Sequence, residues 1–225
     1  MHGRSTPKSR VTFEYADESD KGPYPIPANV PIEGQPSASN DGDRHALIVD
    51  RDSCRLYELY ALHRAGGRWA AGSGAIFDLR SNKLRPAGWT SADAAVLPIL
   101  PGLARWDGDA STGAIRHALR FTVERTRRAY IYPARHYASS ATDPSLPPMG
   151  LRVRLKASVS IASLPPQARI VAQAMKTYGL ILADNGSNWY VSGAPSPRWS
   201  NDQLHALGRL TGADFEVVDT SKLRP

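Results

Sequence analysis

Hydrophobic and polar residues alternate over short segments along this chain, which is the pattern of half-buried β-strands. The alternation predicts strands at residues 11–16, 45–50, 55–62, 73–79, 114–123 and 215–219. Eighteen glycines and eighteen prolines lie between and around these segments. Short strands separated by so many turn-forming residues are typical of sandwiches and barrels. We therefore expect a mainly β fold, a sandwich or jelly roll, with two short peripheral helices.

The two helices are predicted near the C-terminus. One starts at Pro165 and Pro166 and ends at Gly179, with apolar residues at helical spacing at Ile170, Val171, Ala174, Met175 and Tyr178. The second is shorter, and Ser200 and Gln203 have the spacing of a capping box at its start.

A β-hairpin is predicted between the two helices. Residues 180–193 read LILADNGSNWYVSG, with an apolar strand on each side of Asn185 and Gly186. Because Asn-Gly is a preferred dipeptide for two-residue hairpin turns, the turn is expected there.

The length of 225 residues, with 41% hydrophobic content, is consistent with one sizeable core. The expected organisation is a flexible leader at 1–10, a single β-rich domain at 11–219 and a tail at 220–225. Within the domain, residues 18–43 form a long loop rich in proline and glycine, either wrapped or mobile. No apolar run reaches the roughly 18 residues of a membrane span, and the N-terminus lacks the apolar centre of a signal peptide. Cys54 is the single cysteine, so an internal disulfide is excluded.

The net charge of +7 raises the question of an anionic partner. The basic residues are mostly scattered, and no helix-turn-helix, zinc-finger or RNP-like string is present. The sequence therefore favours a polysaccharide, or another anionic or hydroxyl-rich ligand, over nucleic acid.

Residues 129–158 predict an aromatic strand beside a cationic one. In the first strand, Tyr130, Tyr132 and His136 share one face, and Arg135 and Tyr137 share the other. In the second, alternate positions form a cationic row at Arg152, Arg154 and Lys156. This row is either a solvated face paired with acids on neighbouring strands, or a sheet face that holds a ligand. The ligand hypothesis assigns substrate binding to Arg135, Tyr137, Arg152, Arg154, Lys156 and Trp189.

Three side chains are candidates for catalysis: Asp93, His136 and Asp184. Glycoside hydrolysis needs two carboxyl groups about 5 to 9.5 Å apart, and the two aspartates could supply them. A polysaccharide lyase would use Arg or Lys to neutralise a uronate, and His136 or Tyr137 to move the proton. The structural alternative is that Asp93 caps a helical turn and Asp184 is a turn residue before Asn-Gly.

A metal site is not predicted from the histidines. His45, His117 and His136 lie on three predicted strands, but neither HxH nor HxxxH spacing is present. No cofactor is expected either.

Several strings of the chain resemble a widespread family of bacterial proteins. They are YADESDKGPYPIPANVPIEG, DRHALIVDRDSCRLYELY, LRPAGWTSADAAVLPILPGL, PARHYASS, PPMGLRVRLKAS and YGLILADNGSNWYVSG. Members of this family are often exported and longer at the N-terminus. The resemblance implies an extracellular or cell-surface location and a shortened N-terminus in this chain. It transfers no catalytic residue, because the family has no established site.

Together these observations predict a carbohydrate-active protein of the bacterial surface or exterior, as a glycoside hydrolase or polysaccharide lyase. The alternative is a non-catalytic module that binds a polysaccharide or a protein. A structural surface protein without a small ligand is the third hypothesis. A concave pocket containing a carboxylate or histidine would favour the enzyme, and a shallow aromatic or cationic face would favour the module.

Overall fold

A computed structural model describes residues 6–34 and 42–223 of the chain. The chain divides into two compact units, an N-terminal unit that ends at Ile99 and a C-terminal unit that begins at Leu100. The prediction of a mainly β protein is confirmed, since the described residues form three small sheets and two short α-helices. None of the described helices is long and apolar enough to cross a membrane.

The N-terminal unit contains two three-stranded sheets. Its strands are β1 (Val11–Phe13), β2 (Ala46–Asp50), β3 (Arg55–Tyr60), β4 (His63–Ala65), β5 (Arg68–Ala71) and β6 (Ser73–Asp78). One sheet has the order β1-β5-β4, with β1 parallel to β5, and the other is antiparallel with the order β2-β3-β6. The β4–β5 hairpin was not predicted, because its two short strands lack a clear alternation.

The described part of the long 18–43 loop contributes to the core of the N-terminal unit. Tyr24 is fully buried, and its ring packs edge-on against Phe13 and Tyr57 at 5.6 Å between ring centroids. Burial and the nearby charge of Asp20 raise the pKa of the Tyr24 hydroxyl above its ordinary value. The core includes Ile26, Val30 and Ile32 from the same segment. This part of the loop is therefore wrapped against the unit, whereas residues 35–41 lie outside the described ranges.

The C-terminal unit is built on one five-stranded sheet. Its strands are β7 (Leu119–Val123), β8 (Arg152–Leu155), β9 (Leu180–Asn185), β10 (Tyr190–Val191) and β11 (Phe215–Val217), in the order β10-β7-β9-β8-β11. Its α-helices are α1 (Pro166–Thr177) and α2 (Asn201–Leu204). Short 3₁₀ helices lie at Leu100–Gly102, Ala110–Thr112, His205–Arg209 and Gly212–Asp214.

The predicted hairpin around Asn185 and Gly186 is wrong. Strands β9 and β10 do not pair, because β7 lies between them, parallel to β9 and antiparallel to β10. A Cβ atom on Gly186 would lie 3.0 Å from the Oγ1 atom of Thr122 in β7. The glycine therefore permits a close approach to β7 instead of forming a two-residue hairpin turn.

Helix α1 forms where the sequence predicts it. It begins at Pro166, and it buries Val171, Met175 and three alanines on one face while packing against β8. Gly179 follows the helix with a φ of +78°, and a Cβ atom there would lie 2.6 Å from the carbonyl oxygen of Val153. Both the left-handed backbone and this close approach favour glycine.

The predicted capping box of α2 is half correct. The Ser200 side chain accepts a hydrogen bond from the backbone N–H of Gln203 at 3.4 Å. The Gln203 side chain does not reach back to Ser200, but accepts from the backbone N–H of Gln167 at 3.0 Å. Gln167 in turn accepts from the backbone N–H of Ser200 at 2.7 Å. The two helices are thus joined by reciprocal glutamine contacts.

The predicted aromatic strand is also wrong. Only Tyr130 pairs there, in an isolated bridge with Met149. A turn follows at once, in which the Ala134 N–H donates to the carbonyl of Ile131 across Pro133. Because proline has no N–H to donate, the ladder ends at this turn. The alternation of faces predicted for this segment does not apply.

Candidate functional site

The C-terminal unit has an open cavity of about 890 Å³. Its wall is formed by α1, by the 3₁₀ helix after α2 and by the chain from Asn188 to Trp199. Most of the lining side chains are apolar, including Met175, Trp189, Tyr190, Trp199, Leu204, Leu207 and Phe215. A volume of this size and a mostly apolar wall with a few polar groups are typical of sites for small ligands.

Trp189 forms part of the wall through its packing. Its indole stacks on Phe121 at 5.5 Å and on Phe215 at 4.7 Å between ring centroids. A Cβ atom on Gly212 would lie 3.0 Å from the indole. Although Trp189 is 38% exposed, these contacts cover much of its ring. Of the predicted substrate-binding residues, Trp189 lines the cavity.

Two further aromatic residues are available to a ligand. Tyr190 is 59% exposed on β10. Trp199 is half-buried and packs perpendicular to Trp106, with 5.1 Å between ring centroids. Tyr190 is the ring of the wall that is most open to solvent.

The polar groups of the wall are few and mostly neutral. Asn201 and His205 are exposed, at and just after α2, and Ser196 adds a hydroxyl. The side chain of Asn188 already has hydrogen-bond partners on Glu124. Its amide oxygen accepts from the backbone N–H of Glu124, and its amide nitrogen donates to the Glu124 carboxylate. Among the described residues that line the cavity, none is Asp or Glu.

Asp184, a predicted catalytic residue, is held by structural contacts. One carboxylate oxygen accepts from the backbone N–H of Asn185 at 2.8 Å, and the other lies 3.7 Å from a guanidinium nitrogen of Arg120. Arg120 also donates to the Ser192 hydroxyl at 2.7 Å. Asp184 therefore already accepts a hydrogen bond from the backbone, which is the structural alternative to a catalytic role.

Asp93, the second predicted carboxylate, belongs to the N-terminal unit and is only 1% exposed. Its carboxylate accepts from the backbone N–H of Leu97 at 3.1 Å, and its backbone exchanges hydrogen bonds with the Ser91 hydroxyl. These are the contacts of a turn-capping residue.

His136 and its neighbours form an aromatic cluster that does not contribute to the cavity wall. The His136 and Tyr137 rings are stacked 5.4 Å apart, and Tyr137 stacks on Tyr130 at 6.4 Å. The Tyr137 hydroxyl accepts from Arg128 at 3.2 Å. Arg135 is partly buried beside them. Their predicted catalytic and binding roles remain predictions.

The cationic row is present along β8 and the residue that follows it, Lys156, while Val153 and Leu155 of the strand face the core. Arg154 forms an ion pair with Glu216, its direct neighbour on β11, at 2.5 Å. Lys156 donates to the carbonyl of Ala213 at 2.7 Å. Arg152 is partly buried. Arg154 therefore has the cross-strand acid that the solvated-face interpretation requires.

A cluster in the N-terminal unit was missed by the sequence analysis. Ligand atoms of Glu33, Asp43 and His45 all lie within 4.8 Å of one another. The His45 Nδ1 atom is 2.6 Å from a Glu33 oxygen, and its Nε2 atom is 2.7 Å from the carbonyl oxygen of Ala92. Burial lowers the pKa of the His45 imidazole, but Glu33, the Ala92 carbonyl and Asp43 together raise it more, so the net shift is upward. Glu33 is ten positions before Asp43 in the sequence, so no short motif connects them.

We compared the chain with protein-family models, with curated proteins and with solved structures, and none matched.

Proposed function

We propose that this protein is a non-catalytic binding module whose C-terminal cavity takes a carbohydrate that carries an apolar face or substituent. The observation that supports the proposal is the composition of the wall. It combines an exposed aromatic ring with amide, imidazole and hydroxyl groups, and its described residues include no carboxylate.

The apolar part of such a ligand would pack against the rings and the aliphatic side chains. The C–H faces of a sugar and any aryl or acyl substituent bury apolar surface on Tyr190 and Leu207. The ligand hydroxyls would hydrogen-bond to Asn201 and His205, whose side chains are exposed at the wall. A plain, fully polar glycan would leave the aliphatic side chains uncovered and should bind more weakly.

The wall gives less support to the hydrolase hypothesis. The two-carboxylate route needs an acid and a base at the bond that is cleaved. Among the described residues of the wall, His205 is the only histidine, and one imidazole cannot act as acid and base in the same step. Asp184 already contacts Arg120.

The proposal keeps two expectations from the sequence. The sheets are expected to assemble as a sandwich or jelly roll, and the protein is expected to act at the bacterial surface or exterior. Fractionation of cells that produce the protein tests the second.

The test uses soluble phenyl glycosides, which carry both a sugar and an aryl group. Binding is followed by tryptophan fluorescence, since Trp189 and Trp199 line the cavity. Replacing Tyr190 by alanine should raise Kd about tenfold, because an aromatic contact contributes on the order of 1 kcal/mol beyond its buried area. Tyr178→Ala is the matched control, since Tyr178 is 44% exposed and is not among the lining residues.

The same probes test catalysis, because a glycosidase would release phenol from them. We expect binding without phenol release. If the parent releases phenol and Asp184→Asn does not, the protein is a hydrolase and the binding-module proposal is wrong. Absence of binding across gluco, galacto, manno and uronic phenyl glycosides would overturn the proposal.

A further inference from the structure

The contacts of His45 determine which ring nitrogen carries a proton. Its Nε2 atom lies 2.7 Å from the backbone carbonyl oxygen of Ala92. A carbonyl oxygen only accepts hydrogen bonds, so Nε2 must be the N–H donor. A histidine that binds a metal commonly donates its other N–H to a backbone carbonyl in this way, which sets the orientation of the ring.

The other nitrogen, Nδ1, faces carboxylates. It is 2.6 Å from a Glu33 oxygen, and a carboxylate oxygen of Asp43 lies in the same group within 4.8 Å. A neutral imidazole with its proton on Nε2 presents a lone pair at Nδ1. At 2.6 Å the contact with Glu33 is a hydrogen bond in which Nδ1 donates a proton. A metal ion that displaces this proton would meet the Nδ1 lone pair and carboxylate oxygens of Glu33 and Asp43 within 4.8 Å of one another.

The backbone around the cluster holds the three residues in place. The Glu33 N–H donates to the carbonyl of His45 at 2.9 Å, and the Asp43 carbonyl accepts from Ala61 at 2.8 Å. The His45 ring packs against Tyr60 with 5.9 Å between ring centroids. Backbone hydrogen bonds therefore hold the three residues near the start of β2 and the end of β3, while the side chains of Glu33 and Asp43 are exposed to solvent.

The donor set indicates which ion fits. One imidazole nitrogen and two carboxylate oxygens suit Zn²⁺, which accepts both donor types and in three-residue sites keeps a position for water. Ca²⁺ and Mg²⁺ prefer all-oxygen sites with more ligands. Among the common divalent ions that accept nitrogen, Zn²⁺ binds more tightly than Mn²⁺ or Fe²⁺.

We propose that Glu33, Asp43 and His45 form a Zn²⁺ site with an open coordination position. The site shares no residue with the cavity in the C-terminal unit, so its failure would leave the proposed binding function untouched.

The test is calorimetric titration of ZnCl₂ into the full chain after dialysis against a chelator. We expect one Zn²⁺ per chain, and at least tenfold weaker binding by Glu33→Gln, Asp43→Asn and His45→Ala. His63→Gln is the control, because His63 is also a partly buried histidine of this unit, with Nδ1 at a backbone carbonyl. It should bind Zn²⁺ within twofold of the parent.

A second measurement remains informative if His45→Ala folds poorly. Glu33 has a side chain that is 59% exposed, so Glu33→Gln should fold. Zn²⁺ at about one hundred times its Kd should raise the Tm of the parent by roughly 5 °C. The rise should be largely lost in Glu33→Gln. A Kd above about 100 μM, an unchanged Kd in all three ligand variants, or equal affinity for Ca²⁺ would overturn the site.

Discussion

Replacing Asp184 by asparagine separates its structural role from a catalytic one. In the parent, one Asp184 oxygen accepts from the Asn185 N–H, and asparagine can keep that acceptor. The other oxygen lies 3.7 Å from Arg120, and asparagine removes its charge. The substitution therefore deletes one ion pair with little change in shape.

The expected cost follows from distance and burial. Two charges at 3.7 Å attract by about 4 kcal/mol at an effective dielectric of 20, and by about 1 kcal/mol in bulk water. The side chains of Arg120 and Asp184 are 12% and 27% exposed, so solvent screens part of this attraction. Desolvation of both groups reduces it further. We expect a loss of about 1–2 kcal/mol in the free energy of unfolding.

Urea denaturation of the parent and Asp184→Asn measures this loss. Asp107→Asn is the matched control, because Asp107 pairs with Arg198 at 2.9 Å but is 84% exposed. The control should change stability by less than about 0.5 kcal/mol. If Asp184→Asn is as stable as the parent, or more stable, the structural role assigned to this carboxylate is refuted.

Two other predictions concern the sheet of the C-terminal unit. Gly179→Ala should lower the free energy of unfolding, measured in urea, by about 2–3 kcal/mol, because alanine adds left-handed backbone strain and a clash with the Val153 carbonyl. A loss of free energy below about 0.5 kcal/mol would contradict this. The double variant Arg154→Ala, Lys156→Ala should elute from an acidic polysaccharide column at a lower salt concentration than the parent. The decrease should be no larger than for the exposed pair Arg51→Ala, Arg68→Ala, since Arg154 and Lys156 already have partners. A clearly larger decrease for Arg154→Ala, Lys156→Ala would restore the cationic row as a ligand site.

Local sequence signals predicted the elements that depend on neighbouring residues. The alternation in β2 and the helical spacing in α1 each reflect one buried face, which periodicity reports directly. In β3 the alternation located the strand but not its faces, because residues 56–59 are all buried, including Glu58. Pro166 and Gly179 marked the ends of α1 because their backbone preferences act locally.

Pairing between distant segments could not be predicted in the same way. Asn185 and Gly186 gave the signal of a hairpin turn, but β7 lies between β9 and β10. The insertion depends on contacts with residues about sixty positions earlier, such as Thr122, which no local pattern records.

The candidate sites were predicted only in part for a related reason. Trp189 was among the predicted substrate-binding residues, and it lines the cavity. Tyr190 and His205 were not selected, because their part in the wall depends on how α1, α2 and β10 pack together. The cluster at His45 was missed because tertiary structure brings Glu33 next to it, and no fixed sequence spacing connects the two residues.

Titration of the protein with phenyl glycosides, followed by tryptophan fluorescence, tests the central claim most directly. The account predicts saturable binding that weakens about tenfold in Tyr190→Ala, is unchanged in Tyr178→Ala and is not accompanied by phenol release. Binding that is equally strong in Tyr190→Ala, or turnover of the probe by the parent, would contradict it.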